Sequence, residues 1–465
     1  MTERPNIIWI TLDSVRSDHT TMGGYERDTT PELERISKTT DGQWFSNCFS
    51  HNNSTRTSTA SIITGTYPSH HGVTWDKIIP PELETVPEIF SKVGYHTVGI
   101  SRNANSSMGF NRGFDEFKWI SSSQFLSAVD LPTVIKYGLN VRKHSAGFTT
   151  DTAKHATPFI INDMAKRRIR SYVGDSEPFF MYLHYNEPHR PYYPPLSYLD
   201  EYTDEIEMST QEAAEVAMEM HRNANEIIAN GSEFSEEEWE ALYAMYDAEI
   251  AYTDDCVGRL FDYVKSLNID NTIFVITADH GELFGEKDML THKIVLHDAV
   301  INVPLVTHGF GKLETGTDDL VQHADIMQTL VAMAGGDTSQ FQGVDIREES
   351  RNFVVAQDQD IGKSLDKFAE YNPEFNSSRY HRSLLTCIRD QNYKYQKSEE
   401  NAELFILPDE EEDISDEEPE VVEDMDTILD KWVDEYGYPV SEEEKKSKFS
   451  DKMKQQLSDL GYIVD

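Results

Sequence analysis

Two apolar runs in this chain each stop at an aspartate. Asn6 to Leu12 ends at Asp13, and Thr272 to Ala278 ends at Asp279, with His280 next. Two carboxylates and an imidazole at the ends of neighbouring strands suit a divalent cation, and so oxygen-rich a set leans toward the hard ions Ca, Mg or Mn over Zn. A lone Asp after a strand is more often a helix N-cap; the pairing with DHGE (Asp279 to Glu282) reverses that balance. A second constellation, HNNSTRTSTASIITGTYPSHHG from His51 to Gly72, gathers hydroxyls ahead of a helix-like segment. Free N–H groups at a helix start attract anions, which would set Thr55 beside an oxyanion. Ser54, Thr55, Thr57 and Ser58 could equally be plain capping residues, and spacing alone does not separate the two.

These residues need a scaffold that brings them together. Continuous apolar runs such as Asn6 to Leu12, Phe179 to Tyr185 and Thr272 to Ala278 read as buried parallel strands. In open α/β sheets ligands bind at the carboxyl edge, so Asp13, the Asn186 to His189 stretch and Asp279 should converge. Helical periodicity fits Pro31 to Lys38, Pro87 to Val93, Glu236 to Leu267 and Ala324 to Ala334. The expected fold is α/β, a mostly parallel central sheet flanked by helices, over residues 1–345. Past Gly343 come short strands with few helical intervals: Asn352 to Ala356, Ser383 to Arg389, Asn392 to Tyr395 and Ala402 to Leu407. That predicts a small antiparallel α+β subdomain over 346–465. It would carry a solvated acidic loop (Asp409 to Asp413, Asp416 to Glu418) and helices near Asp426 to Tyr436 and Lys452 to Leu460.

Composition narrows the setting. Of 465 residues 83 are acidic and 41 basic, a formal charge of −42, which excludes a nucleic-acid binder built on a basic surface. With 22 Phe, 22 Tyr and 6 Trp the chain is not a disordered polyacid. An acid-coated folded protein is tolerated where salt screens its self-repulsion, as in a halophile. Cys48, Cys256 and Cys387 form no CxxC pair, which suits a reducing cytoplasm. No apolar run approaches membrane-spanning length and no leader-like pattern opens the chain, so a cytoplasmic protein is expected.

The segments PNIIWITLDSVRSDH, TPELERI, TASIITGTYPSHHG, GFDEF, HYNEPHRPY, TADHGE and NVPL occur in an order that resembles the sulfatase family of the alkaline-phosphatase superfamily. IRDQNYKY, AELFILPDEEED and LSDLGYI look like that family's closing subdomain. The resemblance implies one metal ion, held by Asp13, Asp279 and His280, and a nucleophile at a helix start that attacks sulfur or phosphorus of an ester. It also assigns His189 to the substrate anion and Lys293, beside His292, to the leaving oxygen. The family signature CxPSRxxLLTG, laid so that Thr64 and Gly65 take its final TG, puts Thr55 at the cysteine, Thr57 at the proline and Thr59 at the arginine. No cysteine is present for conversion to formylglycine. Ser14 replaces the second Asp of the usual DD pair, a form shared with a branch of phosphonate monoester hydrolases. Arg102, Asn103 and Asn105, in GISRNAN, stand where the family has GKWH.

The leading expectation is therefore an enzyme that moves a sulfuryl group from a sulfate ester to water or to a sugar hydroxyl, through a Thr55 adduct, in sulfated-glycan biosynthesis or modification. The adduct carries no second hydroxyl, so it must be resolved by attack at sulfur or phosphorus. A phosphodiesterase or phosphoryl-type transferase, with a lipid-linked substrate among the options, stays open, as does a fold that binds anionic glycans without turnover. Thr55, His189, Lys293 and His292 are the expected catalytic set, with Arg56, Arg102 and Asn103 at the substrate. His70, His71 and His184 read as structural, and the cysteines as ordinary buried residues.

Overall fold

The computed structural model describes residues 4–103, 109–121, 128–149, 151, 154–269 and 271–441. Asn105, the Lys452 to Leu460 helix and LSDLGYI lie outside the described residues.

Strands β1 (Asn6–Asp13), β2 (Gly42–Phe49), β3 (His96–Ser101), β4 (Glu116–Trp119), β5 (Phe179–Pro188) and β6 (Thr272–Ala278) belong to one eight-stranded sheet, and β7 (Leu283–Phe284) and β8 (Leu290–Thr291) form a two-residue ribbon beside it. With β9 (Asn302–His308) and β10 (Val321–Gln322) the large sheet runs in the order β10-β2-β9-β6-β1-β5-β3-β4. All its neighbours pair in parallel except β9, which is antiparallel to both β2 and β6. β1 and β6 lie at the centre, buried along nearly their whole length, as two-sided burial under helices requires of an unbroken apolar run. The expected mostly parallel α/β sheet is present.

Several elements carried weaker patterns than those expected. The helices Pro158–Tyr172 and Thr210–Asn230 lie between β5 and its neighbours in sequence. The second is set by a capping box, Ser209 with Glu212, and closed by Gly231 in the left-handed region. Directly after it Ser235 and Glu238 cap the helix Glu236–Ser266 in the same way.

A second sheet, β11 (Val354–Asp358), β12 (Leu385–Arg389), β13 (Tyr393–Lys397) and β14 (Ala402–Ile406), is antiparallel throughout. The helix Pro419–Tyr436 packs on it, and Trp432 meets Tyr67 of the large unit edge-on at 4.8 Å. The eleven-residue helix Ile361–Tyr371 lies between the first two strands, because Ile361, Leu365 and Phe368 recur at helical spacing and are buried. One expectation is corrected here. The acidic loop is not wholly solvated. Glu410 is 2% exposed, because the fully buried Lys394 ammonium lies 2.6 Å from its carboxylate.

That lysine joins the two units. Its Nζ also reaches Asp298, and it donates to the Leu296 carbonyl at 3.0 Å. Arg389 closes the group on Asp298 at 3.0 Å. Removing one partner of such a buried group strands the other charges in a dry interior. Lys394→Met should therefore lose about 3–5 kcal/mol of stability in denaturant unfolding at high salt. An unchanged midpoint would show that the network contributes nothing net.

Candidate active site

Strand register brings the first pair together. Leu12 lies opposite Ala278, so the next residue of each strand sets Asp13 beside Asp279. On the other side Leu12 pairs with Tyr185 but Asp13 with Pro188. This bulge turns Asn186 and Glu187 out of the ladder at the sheet's carboxyl edge. Ser14 follows at φ 68°, a left-handed backbone that a serine adopts only under constraint. Gly281 is required as well: a Cβ there would lie 2.1 Å from the Ala299 carbonyl oxygen.

The centre is a meeting of acceptors. Asp13, Asp279 and His280 are all fully buried. His280 Nδ1 donates to the Gly281 carbonyl at 2.8 Å, which can only accept, so the Nε2 lone pair faces inward. It points at Asp13 Oδ1 (3.7 Å) and Asp279 Oδ2 (3.9 Å). Asp279 Oδ2 has no hydrogen-bond partner. Burial and the neighbouring Asp13 charge push the Asp279 carboxyl above its ordinary range. Burial would raise Asp13 too, but the imidazoles of His189, His184 and His280 hold it low. Two carboxylates and an imidazole lone pair with an orphaned oxygen among them fit a divalent cation.

His184 complicates the ligand count. By distance alone Asp13, His184 and Asp279 form a potential metal group among the described residues, within 4.8 Å of one another. Hydrogen directions favour His280 instead. The Trp9 indole, which only donates, gives its proton to Thr11 Oγ1 at 2.9 Å, and Thr11 donates to the Tyr182 oxygen at 3.3 Å. Tyr182 is then left to donate to His184 Nδ1 at 3.3 Å, so the ring proton sits on Nε2, 3.1 Å from Asp13 Oδ2. His184 thus steadies a ligand, as outer groups do at metal sites. Asn103 Nδ2 does the same at 2.7 Å.

Thr55 is the first residue of the helix Thr55–Thr64, whose N-cap Ser54 is extended. Every residue of that helix is buried, which a run so rich in hydroxyls tolerates by satisfying most of them locally. Ser58 donates to the Asn52 carbonyl and Thr64 to the Ala60 carbonyl. Thr55 Oγ1 lies 3.1 Å from His280 Nε2 and 3.3 Å from Asp13 Oδ1. Its hydroxyl therefore borders the acceptor cluster at the positive end of a helix.

The basic groups stand around this point. His189 and His292 are buried, their ring centroids 5.1 Å apart, and His292 lies 4.4 Å from His280. Burial lowers His189 to about 4, and holds His292 well below its ordinary value. Lys293 Nζ donates to Asn225 Oδ1 at 2.6 Å, and burial, with the Arg190 charge, lowers it to about 7. Thr291 (φ 66°) and Ile294 (φ 57°) bracket the His292 and Lys293 pair in a backbone that β-branched residues rarely adopt.

Two of the residues expected at the substrate bond backbone carbonyls. Arg56 donates Nε to the Thr74 carbonyl and Nη2 to that of Lys77, both at 2.6 Å. Arg102 donates to the His155 carbonyl at 3.3 Å. His71 bonds Ser61 and the Val73 amide, and His70 the Tyr438 carbonyl, as structural histidines do. All three cysteines are free and buried. Arg190, Glu282 and Asn225 were not singled out in the sequence, although Arg190 and Glu282 lie inside HYNEPHRPY and TADHGE. Asn225 belongs to a helix with no motif to mark it.

The mostly parallel α/β sheet, with this cluster at its carboxyl edge, has an alkaline-phosphatase-like fold. The chain superposes on the phosphonate monoester hydrolase of Agrobacterium radiobacter with a TM-score of 0.71 at 19% identity, covering 93% of this chain and 96% of that one. Residues 5–336 match the family model described as Sulfatase, and the chain belongs to the sulfatase family. It is similar to an arylsulfatase of Clostridium perfringens, 27% identical over 376 residues, 71% of this chain and 75% of that protein. An N-acetylglucosamine-6-O-sulfatase of Bacteroides thetaiotaomicron is 22% identical over 419 residues, 76% of this chain and 72% of that protein.

The acceptor cluster makes a prediction independent of turnover. Adding Mg, Mn or Ca to chelator-stripped protein should raise its melting temperature, by linkage, with one ion bound per chain by calorimetry. Asp279→Asn should abolish both effects. Identical melting of stripped and replete wild type, without a binding isotherm, would leave the cluster without a cation role.

Proposed function

We propose that this protein cleaves sulfate monoesters of sugars, with Thr55 as nucleophile and water or a sugar hydroxyl as final acceptor. The observation that carries the reading is the Thr55 hydroxyl, held at a helix start 3.1 Å from His280 Nε2 and 3.3 Å from Asp13 Oδ1. Asp13, Asp279 and His280 would hold one divalent ion, which when bound lowers the hydroxyl's pKa and draws an ester oxygen. Thr55 Oγ1 attacks sulfur while the bond to the leaving oxygen breaks. The amides at the head of the helix, with the Lys293 ammonium, receive the developing charge.

Two groups could protonate the leaving oxygen, and their basicities favour Lys293. His189, at about 4, is neutral at pH 7, and charging it there costs about 4 kcal/mol. Lys293, at about 7, is poised to give and regain a proton at neutral pH. Lys293 is the acid and His189 a neutral hydrogen-bonding partner of the anion. Asn225 holds the ammonium in place.

The single hydroxyl of Thr55 requires the second step to be attack at sulfur by water or a sugar hydroxyl. The same feature favours a second reading, phosphoryl chemistry on a diester, whose electrostatic needs match. The charge of −42 fits an enzyme of a salt-accumulating cytoplasm, so assays belong in molar salt.

Metal-replete protein would be given paired aryl sulfate, phosphate monoester and phosphate diester, with and without a sugar acceptor. Thr55→Ala should lose at least about a thousandfold in turnover of the sulfate. Preference for the diester would move the enzyme to the phosphoesterase reading. Anion binding without Thr55-dependent turnover of any of the three would leave a glycan binder. A second expectation concerns pH. The Lys293 proton is present below its pKa and lost above it, so kcat/KM should fall as pH rises through about 7. Lys293→Met should remove that limb and slow the reaction by about 10²–10⁴. A limb that survives in the variant would reassign the acid.

A further inference from the structure

The helix Leu131–Leu139 packs Val134 and Tyr137 on the core but leaves a second apolar stripe in solvent. Leu131, Ile135 and Leu139, four residues apart, are 70%, 53% and 81% exposed, and Phe148 in the following loop is 91% exposed. The helix is anchored by other residues. Thr133 is buried and donates to Asp163 at 2.6 Å, and Lys136 pairs with the same carboxylate at 2.6 Å. Its partner is the helix Pro158–Tyr172, so the Leu131, Ile135 and Leu139 stripe is surplus to the fold.

The charge around the stripe is as unusual as its exposure. No acidic residue occurs between Asp130 and Asp151, where the chain's average would place roughly three or four, while Lys136, Arg142 and Lys143 do. Arg142 and Lys143 are exposed and make no salt bridge among the described residues. A protein of charge −42 thus carries an acid-free, cationic and apolar segment.

We propose that this helix and the turn after it dock the enzyme on a lipid bilayer with anionic headgroups. The apolar residues project as knobs, as in helices that lie in a membrane interface with cations on their flank. The exposed Arg142 and Lys143 beside the apolar stripe are complementary to anionic headgroups at contact range. The rest of the molecule is repelled by them at long range, and molar salt, with a screening length of about 3 Å, removes that repulsion.

The test is flotation of the full chain with phosphatidylglycerol vesicles and, separately, phosphatidylcholine vesicles, from low to molar KCl. Wild type should float with phosphatidylglycerol, more as KCl rises, and less with phosphatidylcholine. The exposed triple variant Leu131→Ser, Ile135→Ser, Leu139→Ser, checked for unchanged circular dichroism, should lose about tenfold in the bound fraction. The pair Arg142→Gln, Lys143→Gln should abolish the preference for phosphatidylglycerol. Wild type that stays unbound at every salt, or a triple variant that floats as well as wild type, overturns the proposal. So does a wild-type dimer in light scattering that the triple variant dissociates, since the stripe would then be covered by a second copy. The readout requires no turnover, so it stands or falls apart from the catalytic reading.

Discussion

Three acceptors aimed at one point, with no donor among them, are what the rest of this structure is arranged to tolerate. Asp13, Asp279 and His280 would repel one another in a dry interior. They are held there by elements that have other reasons to be where they are. Central strand pairing fixes the two aspartates, and the Gly281 carbonyl fixes the imidazole's tautomer. Asn103 and His184 each spend a donor on the far oxygen of Asp13. The arrangement is a preformed demand for positive charge, and Thr55 lies at its edge.

The C-terminal unit takes part in this without contributing a group to the centre. Lys394 bonds the Leu296 carbonyl and pairs with Asp298, which lie three and five residues beyond Lys293. One side of the loop that bears the lysine is therefore tied to the small sheet, and the other returns to β8. Asn225 reaches the same ammonium from the helix Thr210–Asn230. Three separate parts of the chain thus fix one cation.

Much of the scaffold was legible because burial on both faces leaves an unmistakable trace. Thr272 to Ala278 reads as a strand with the bounds it has, and the long helix from Glu236 announces itself by periodicity. β2 escaped notice because GQWFSNCF mixes polar and apolar residues, and the reversed direction of β9 is fixed by pairing that no local pattern encodes. At the site, residue types pointed to Asp13, Asp279 and His280 as acceptors that could converge. Their geometry could not say that Arg56 would turn to backbone carbonyls, or that His184, read as structural, would sit against Asp13. Such outcomes depend on which neighbour a side chain meets first. Likewise Glu410 looked like one more acid in a solvated run until a buried ammonium was found beside it.

Thr291 and Ile294 hold a left-handed backbone on either side of His292 and Lys293. A β-branched side chain there costs on the order of 1–3 kcal/mol, and glycine would relieve it at once. Selection for a hardier fold and selection for a faster enzyme would thus pull these two positions in opposite directions. A screen that scores only thermal resistance would favour the change that loosens the two basic side chains, so a drift toward glycine at 291 or 294 would mark a lineage in which the chemistry had ceased to matter.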